Sequence, residues 1–328
     1  MSQAIARPGP VAWLQPAVWT GLAIAAAVLA SALAGSLGGA PFATFVGAAA
    51  SRAAIDLAAV GCVGLALIGV LLPTRAATQR QTADLRERVD RSLVALGGGW
   101  VVLVLVGIVY RAAEAFAVQV TDLEGGELAR WATQLAAGRG MLLTAGCAAT
   151  VLGCAVVRVL RPEQIPVRVV LVAAILGALT PSVTGHAGSA STDHQLAATL
   201  VAMHVAATAL WVGGLGATLV LIAHRAVLLG AVLPRFSRLA GVCLGGVVLT
   251  GGLNALIRLP TVAALWTTSY GWLVVTKTVC VILLGYLGLL ARRRLAAGRT
   301  PVLRWAGLET MIMAATLGVA AALTQTAI

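Results

Sequence analysis

The chain has 328 residues, of which 60% are hydrophobic and only 10% charged, and its formal net charge is +12. Its mean hydropathy of +0.97 is more than a soluble core of this size can hide, since soluble domains are about 45–50% apolar and about 25% charged. Disorder, a secreted disulfide scaffold and a soluble nucleic-acid binder are thereby excluded, and an integral membrane protein in a lipid bilayer is what remains.

A membrane-crossing helix takes about 20 mostly apolar residues. About nine such windows occur in chain order: 14–35, 53–72, 93–117, 140–160, 167–184, 196–222, 237–257, 271–291 and 304–325. The runs are continuous and lack the period-two alternation of barrel strands, so the predicted fold is all-α, a polytopic helical membrane bundle. The first window ends on Ala32-Leu33-Ala34, which imitates a signal-peptidase site. Its apolar run is nonetheless long enough to span, so it is expected to stay in place. Between windows two and three, Thr74–Arg91 mixes arginines with Asp84, Glu87 and Asp90, the pattern of a short solvated helix laced with charge pairs. After window three, Asp122, Glu124 and Glu127 read as a solvated connector.

The basic residues orient the bundle. Arg75, Arg80, Arg86, Arg88 and Arg91 load one loop, and Arg158, Arg161 and Arg168 the next but one. Arg225, Arg235 and Arg238, then Arg292, Arg293, Arg294, Arg299 and Arg304, load two more, on the same side as Arg7. The positive-inside rule then places the N-terminus in the cytoplasm and the C-terminus outside it. This asymmetry accounts for the net charge without a nucleic-acid partner.

Ionisable groups inside spans mark functional candidates. Asp56 falls just inside the outer end of span two, Arg111 and Glu114 in the outer third of span three, and Asn254 near the outer end of span seven. At the rise of an α-helix, His204 sits about 12 Å below the outer end of span six and Lys277 about 9 Å below that of span eight. Only Glu309, in span nine, sits toward the cytoplasm. Arg111 and Glu114, three residues apart, are expected to neutralise each other. His204 and Lys277 lack a same-helix partner of opposite charge and must face protein or water.

The four histidines sharpen this outer bias. His186 and His194 bracket a Gly/Ser-rich outer loop that can fold two imidazoles, the commonest biological metal ligand, onto one ion. Asp193 adds an oxygen ligand or a partner for a ligating ring. His204 follows His194 by ten residues, so a continuous helix would separate them by about 15 Å and make them successive stations. Met203 offers a soft thioether, although neighbouring helical residues diverge by about 100°. His224 falls beside Arg225 and reads as solvated. Cys62, Cys147, Cys154, Cys243 and Cys280 all fall in spans, none in a CxxC pair, and read as small hydrophobes. No P-loop, Rossmann fingerprint, HExxH or GxSxG occurs, so no catalytic set is predicted and the chain is expected not to be an enzyme.

The C-terminal half resembles the CopD copper-resistance family. The residues that carry the likeness are the stretch from Met203 to Leu215 (MHVAATALWVGGL), that from Thr250 to Ala255 (TGGLNA), that from Tyr270 to Lys277 (YGWLVVTK) and that from Leu303 to Glu309 (LRWAGLE), with Gly185-His186-Ala187 upstream. The likeness is specific over about 185–325 and divides the chain into an N-terminal bundle, 1–184, and a CopD-like part, 185–328. It implies copper handling in the bacterial inner membrane, with His186, His204, Trp211, Asn254, Lys277 and Glu309 at the matching motif positions. Under it, His186, His194, His204 and Met203 are the candidate copper ligands, and Asp56, Glu114 and Asp193 the candidate charge balance. No methionine-rich periplasmic stretch is present, which points to a separate periplasmic copper-binding protein as partner. A more distant resemblance, to HemJ-type protoporphyrinogen oxidases, implies haem b instead, with His204 as axial ligand and Lys277 near the haem. A cation such as Lys277 would repel copper unless a carboxylate offset it, which is the electrostatic argument for that alternative.

Overall fold

The computed structural model describes residues 11–33, 39–73, 79–162, 164–184, 192–258, 261 and 263–296. Every regular element among them is helical. In chain order they are α1 (Val11–Leu33), α2 (Phe42–Leu71), α3 (Gln79–Ala115), a 3₁₀ turn (Val120–Asp122), α4 (Gly125–Gln134), α5 (Ala136–Leu160) and α6 (Val167–Thr184). There follow α7 (Thr192–Thr208), a π-helical turn (Ala209–Gly213), α8 (Gly214–Leu221), α9 (Ala226–Arg258), the short α10 (Ala264–Thr267) and α11 (Ser269–Ala296). Helices are what the sequence demands, because in hydrocarbon each backbone N–H and C=O must be satisfied within its own segment. Among the described residues, five stretches are long and apolar enough to cross a membrane: Phe42–Leu71, Arg80–Ala115, Ala136–Leu160, Gln195–Leu221 and Val227–Ile257. Shorter apolar helices cover Ala17–Ala32, Val167–Pro181 and Val274–Leu290. The ninth predicted window, 304–325, lies outside the described residues, as do Glu309 and His186.

Helix α2 is the hub, packed against α1, α3, α6, the π turn, α8 and α9. Of its apolar window 56% is buried inside the bundle, against 17% for that of α9. The main core joins Ile55, Val63 and Ile68 of α2 to Leu85, Leu93, Trp100 and Val104 of α3 and to Val151 of α5 and Val170 of α6. A second core joins Leu67, Trp211, Phe236, Cys243 and Leu284, tying α2 to the π turn, α9 and α11.

Two connecting regions differ from expectation. The segment before span three is no separate short helix: from Gln79 it is continuous with α3. Its charge pairs are present, Arg88 to Asp84 at 3.4 Å and Arg91 to Glu87 at 2.5 Å, each four residues apart and exposed. Asp90, by contrast, is buried and takes a two-pronged ion pair from Arg158 of α5, at 2.8 and 3.1 Å. Beyond span three, the acidic connector contains α4, which opens on a capping box between Glu124 and Glu127. Those carboxylates satisfy main-chain donors at the helix start, and α4 inserts Trp131, 2% exposed, into the main core.

Glycine sets how closely α2 can meet the chain below His204. A Cβ on Gly64 would stand 2.0 Å from the Gly213 carbonyl oxygen, and one on Gly213 would stand 2.2 Å from the Val60 carbonyl oxygen. Backbone faces backbone there, so no side chain can give way, as in other small-residue helix contacts in lipid. Gly64→Ala is therefore expected to lower stability by at least about 1–3 kcal/mol and to shift the thermal midpoint of the purified protein downward. Gly153→Ala, where a Cβ meets nothing within 4 Å, should leave that midpoint unchanged. Equal midpoints for the two variants would refute the close approach.

Candidate functional site

The site lies in the seam between α7 and α9. His204 of α7 points across it, with Nδ1 3.1 Å from the hydroxyl oxygen of Thr250 on α9. Thr250 is 2% exposed, and its hydroxyl donates to the Gly246 carbonyl at 2.6 Å, one turn back along its own helix. The same hydroxyl lies 3.5 Å from the Val247 carbonyl. The helices can come this close because α9 presents glycine to α7. A Cβ on Gly251 would meet His204 Cε1 at 3.2 Å and Nδ1 at 3.5 Å, and one on Gly246 would meet the Ala207 Cβ at 3.7 Å.

Helical spacing of four extends this polar contact along the seam. Thr208 lies one turn beyond His204, and Asn254 one turn beyond Thr250. Because α7 and α9 run in opposite directions, the two lie on opposite sides of the His204–Thr250 contact. The Thr208 Oγ1 and Asn254 Oδ1 atoms are both buried without a hydrogen-bond partner among the described residues. Buried oxygens of that kind are uncommon and are met in most proteins by water or an ion. The seam thus carries a file of Asn254, the His204–Thr250 pair and Thr208 through an otherwise apolar contact. Lys277 is carried by α11, whose Leu284 joins the second core beside α9.

The other predicted residues are placed differently. Met203 is 58% exposed, on the outer surface of the bundle, while its neighbour His204 faces α9. His194 is in the helical backbone of α7, so ten residues of rise keep it about 15 Å from His204 along the axis. The side chains of His194 and Asp193 lie outside the described residues. Trp211 is buried in the second core against Phe236 and Cys243. Asp56 pairs with Arg52 at 3.1 Å, and Glu114 with Arg111 at 3.6 Å, the latter as expected. Both carboxylates are thus engaged on α2 and α3, and among the described residues no carboxylate forms an ion pair with Lys277. Neither is there, among those residues, a cluster of three or more His, Cys, Asp or Glu side chains able to hold a metal ion. His224 is exposed. All five cysteines are free.

Helical spacing in the sequence puts Thr208 on the His204 face, but sequence reasoning missed Thr250 as the group facing His204. The available signal was spacing: Thr250 and Asn254 share a helical face, as do His204 and Thr208, in antiparallel neighbours.

Two family models match the chain. One is Copper resistance protein D, over residues 230–323, and the other is Copper resistance protein D-like, N-terminal domain, over residues 40–195. The chain belongs to the copper resistance protein D family. It is an integral membrane protein of that copper-resistance family, and the resemblance extends well before residue 185. The CopD match takes in Thr250, Asn254 and Lys277, whereas His204 and Trp211 fall between the two matched stretches. No curated protein and no solved structure gives a match.

The glycine beside the imidazole gives a direct check on this geometry. Gly251→Ala should displace the His204 ring, seen as a shift of its NMR signals, and lower the thermal midpoint by the equivalent of about 1 kcal/mol. Gly252→Ala, with nothing within 4 Å, should do neither. Identical spectra for both variants would refute the packing of His204 against α9.

Proposed function

We propose that this CopD protein carries copper ions across the bacterial inner membrane, entering from the periplasmic side, with His204 as an intramembrane station. The observation that supports it most is the polar file in the α7–α9 seam, where a held imidazole lies between two buried oxygens that have no partner among the described residues. A neutral imidazole nitrogen is a good copper ligand, and oxygens on either side can help to replace the water an ion sheds. Copper here is cargo, so a site with one nitrogen and few strong donors suits passage better than storage. Conduction needs binding strong enough to admit an ion and weak enough to release it.

Lys277 fits the same logic. A fixed cation beside His204 shortens the stay of a bound copper ion, since like charges in a medium of low dielectric repel strongly. His186 and His194, with Asp193, form the outer capture point in this reading, and a periplasmic copper-binding protein delivers the ion there. The arginine-rich loops hold the opposite side of the bundle in the cytoplasm. No bond is made or broken in the cargo, and transport needs no catalytic residue.

Copper accumulation in cells expressing the protein tests the proposal. His204→Ala should reduce the protein-dependent rate of copper entry at least tenfold, and Lys277→Met should leave more copper bound to the purified protein while slowing entry. Unchanged entry in His204→Ala would refute the station. The orientation has its own test. A cysteine placed at Ser189 should react with a membrane-impermeant thiol reagent in intact spheroplasts, and reaction only after lysis would put the entry loop on the wrong side.

A further inference from the structure

A histidine can present only one lone pair when neutral, and its neighbours decide which nitrogen carries it. The seam makes that decision through Thr250. The Thr250 hydroxyl has a single proton, and the 2.6 Å contact to the Gly246 carbonyl is its shorter bond, against 3.1 Å to His204 Nδ1. With that proton committed to the carbonyl, the hydroxyl oxygen meets Nδ1 as an acceptor. The Val247 carbonyl, 3.5 Å from the same hydroxyl, is a second and longer acceptor for that one proton. At this contact α9 therefore presents an acceptor to Nδ1, which is satisfied when Nδ1 holds the hydrogen. The ring edge that includes Cε1 and Nδ1 is pressed against Gly251, which keeps the imidazole from turning over. Among the described residues no side chain forms a hydrogen bond with Nε2.

We propose that Thr250 is a positioning residue: it locks His204 in the Nδ1–H tautomer, so that Nε2 is the nitrogen offered to the copper ion. The identity of the ion rests on the transport reading above, whereas the tautomer does not. A hydrogen bond to the non-ligating nitrogen orients the ring and raises the basicity of the ligating one, and loss of such a partner commonly costs about 10–100-fold in metal affinity. Thr250 touches no cargo in this scheme and acts through His204 alone.

The experiment uses the full-length protein in detergent with ¹⁵N-labelled histidine. The chain has only four histidines, so the His204 ring signals are assigned by their loss in His204→Ala. In metal-free wild-type protein the His204 spectrum should be that of the Nδ1–H tautomer. Thr250→Ser, which keeps the hydroxyl, should preserve it, and Thr250→Val, which keeps the shape and removes the acceptor, should give the Nε2–H form or a mixture. Copper(I) titration of the same samples should show affinity about 10–100-fold weaker in Thr250→Val and restored in Thr250→Ser. An Nε2–H spectrum in the wild type, or no change of tautomer in Thr250→Val, would overturn the proposal. If wild-type protein shows the Nδ1–H form and its dependence on Thr250 but binds no copper, the transport reading fails while the tautomer lock stands. Should Thr250→Val not fold, the wild-type spectrum and the Thr250→Ser titration still decide the matter.

Discussion

Inside a bilayer a histidine has no bulk water to turn to, so the 3.1 Å contact between His204 and Thr250 governs both where the imidazole sits and which way it faces. An unpaired polar group in hydrocarbon is costly, and α9 relieves that cost from one side only. Among the described residues no side chain forms a hydrogen bond with the other ring nitrogen. Beside this contact lie the Thr208 and Asn254 oxygens, which have no hydrogen-bond partner among the described residues.

Close packing supports this contact, and glycine serves it in two places. Gly246 and Gly251 open α9 to α7, and the Gly64–Gly213 contact draws α2 against the π turn directly below. A π turn inserts an extra residue into a helix and recurs near functional sites. Here it carries Trp211 into the second core while α7 above it presents His204 to α9. The buried Arg158–Asp90 pair, which also reaches the Ile165 carbonyl, ties α3 and α5 together far from this seam along the chain. Breaking such a pair leaves an uncompensated charge, so it belongs to the frame and not to the route.

Much of the frame was legible in the sequence, because hydrophobic length is a local property. The windows that became α2, α5 and α6 needed only a count of apolar residues. The start of α3 was not legible that way, since its first turns are held by exposed pairs four residues apart and not by lipid. Asp90 looked solvated among arginines, and its true partner, Arg158, stands 68 residues away. His204 and Lys277 stood out because charge inside a span is expensive. Thr250 did not, for a physical reason. Thr144, Thr218 and Thr276 also bond back to the carbonyl four residues earlier, a habit of hydroxyl residues in helices. Only the facing helix separates Thr250 from them.

The family points to copper, and in the proposed reading the seam supplies a nitrogen and Lys277 a reason for the ion to leave. Joining them makes one central claim: copper binds this protein through His204. The most direct test loads the purified protein with copper(I), removes the unbound ion and measures copper per chain alongside the absorption spectrum, in wild type and His204→Ala. The account predicts bound copper in the wild type, its loss in the variant, and no Soret band in either. Undiminished copper in His204→Ala, or a Soret band that disappears with His204, would contradict it.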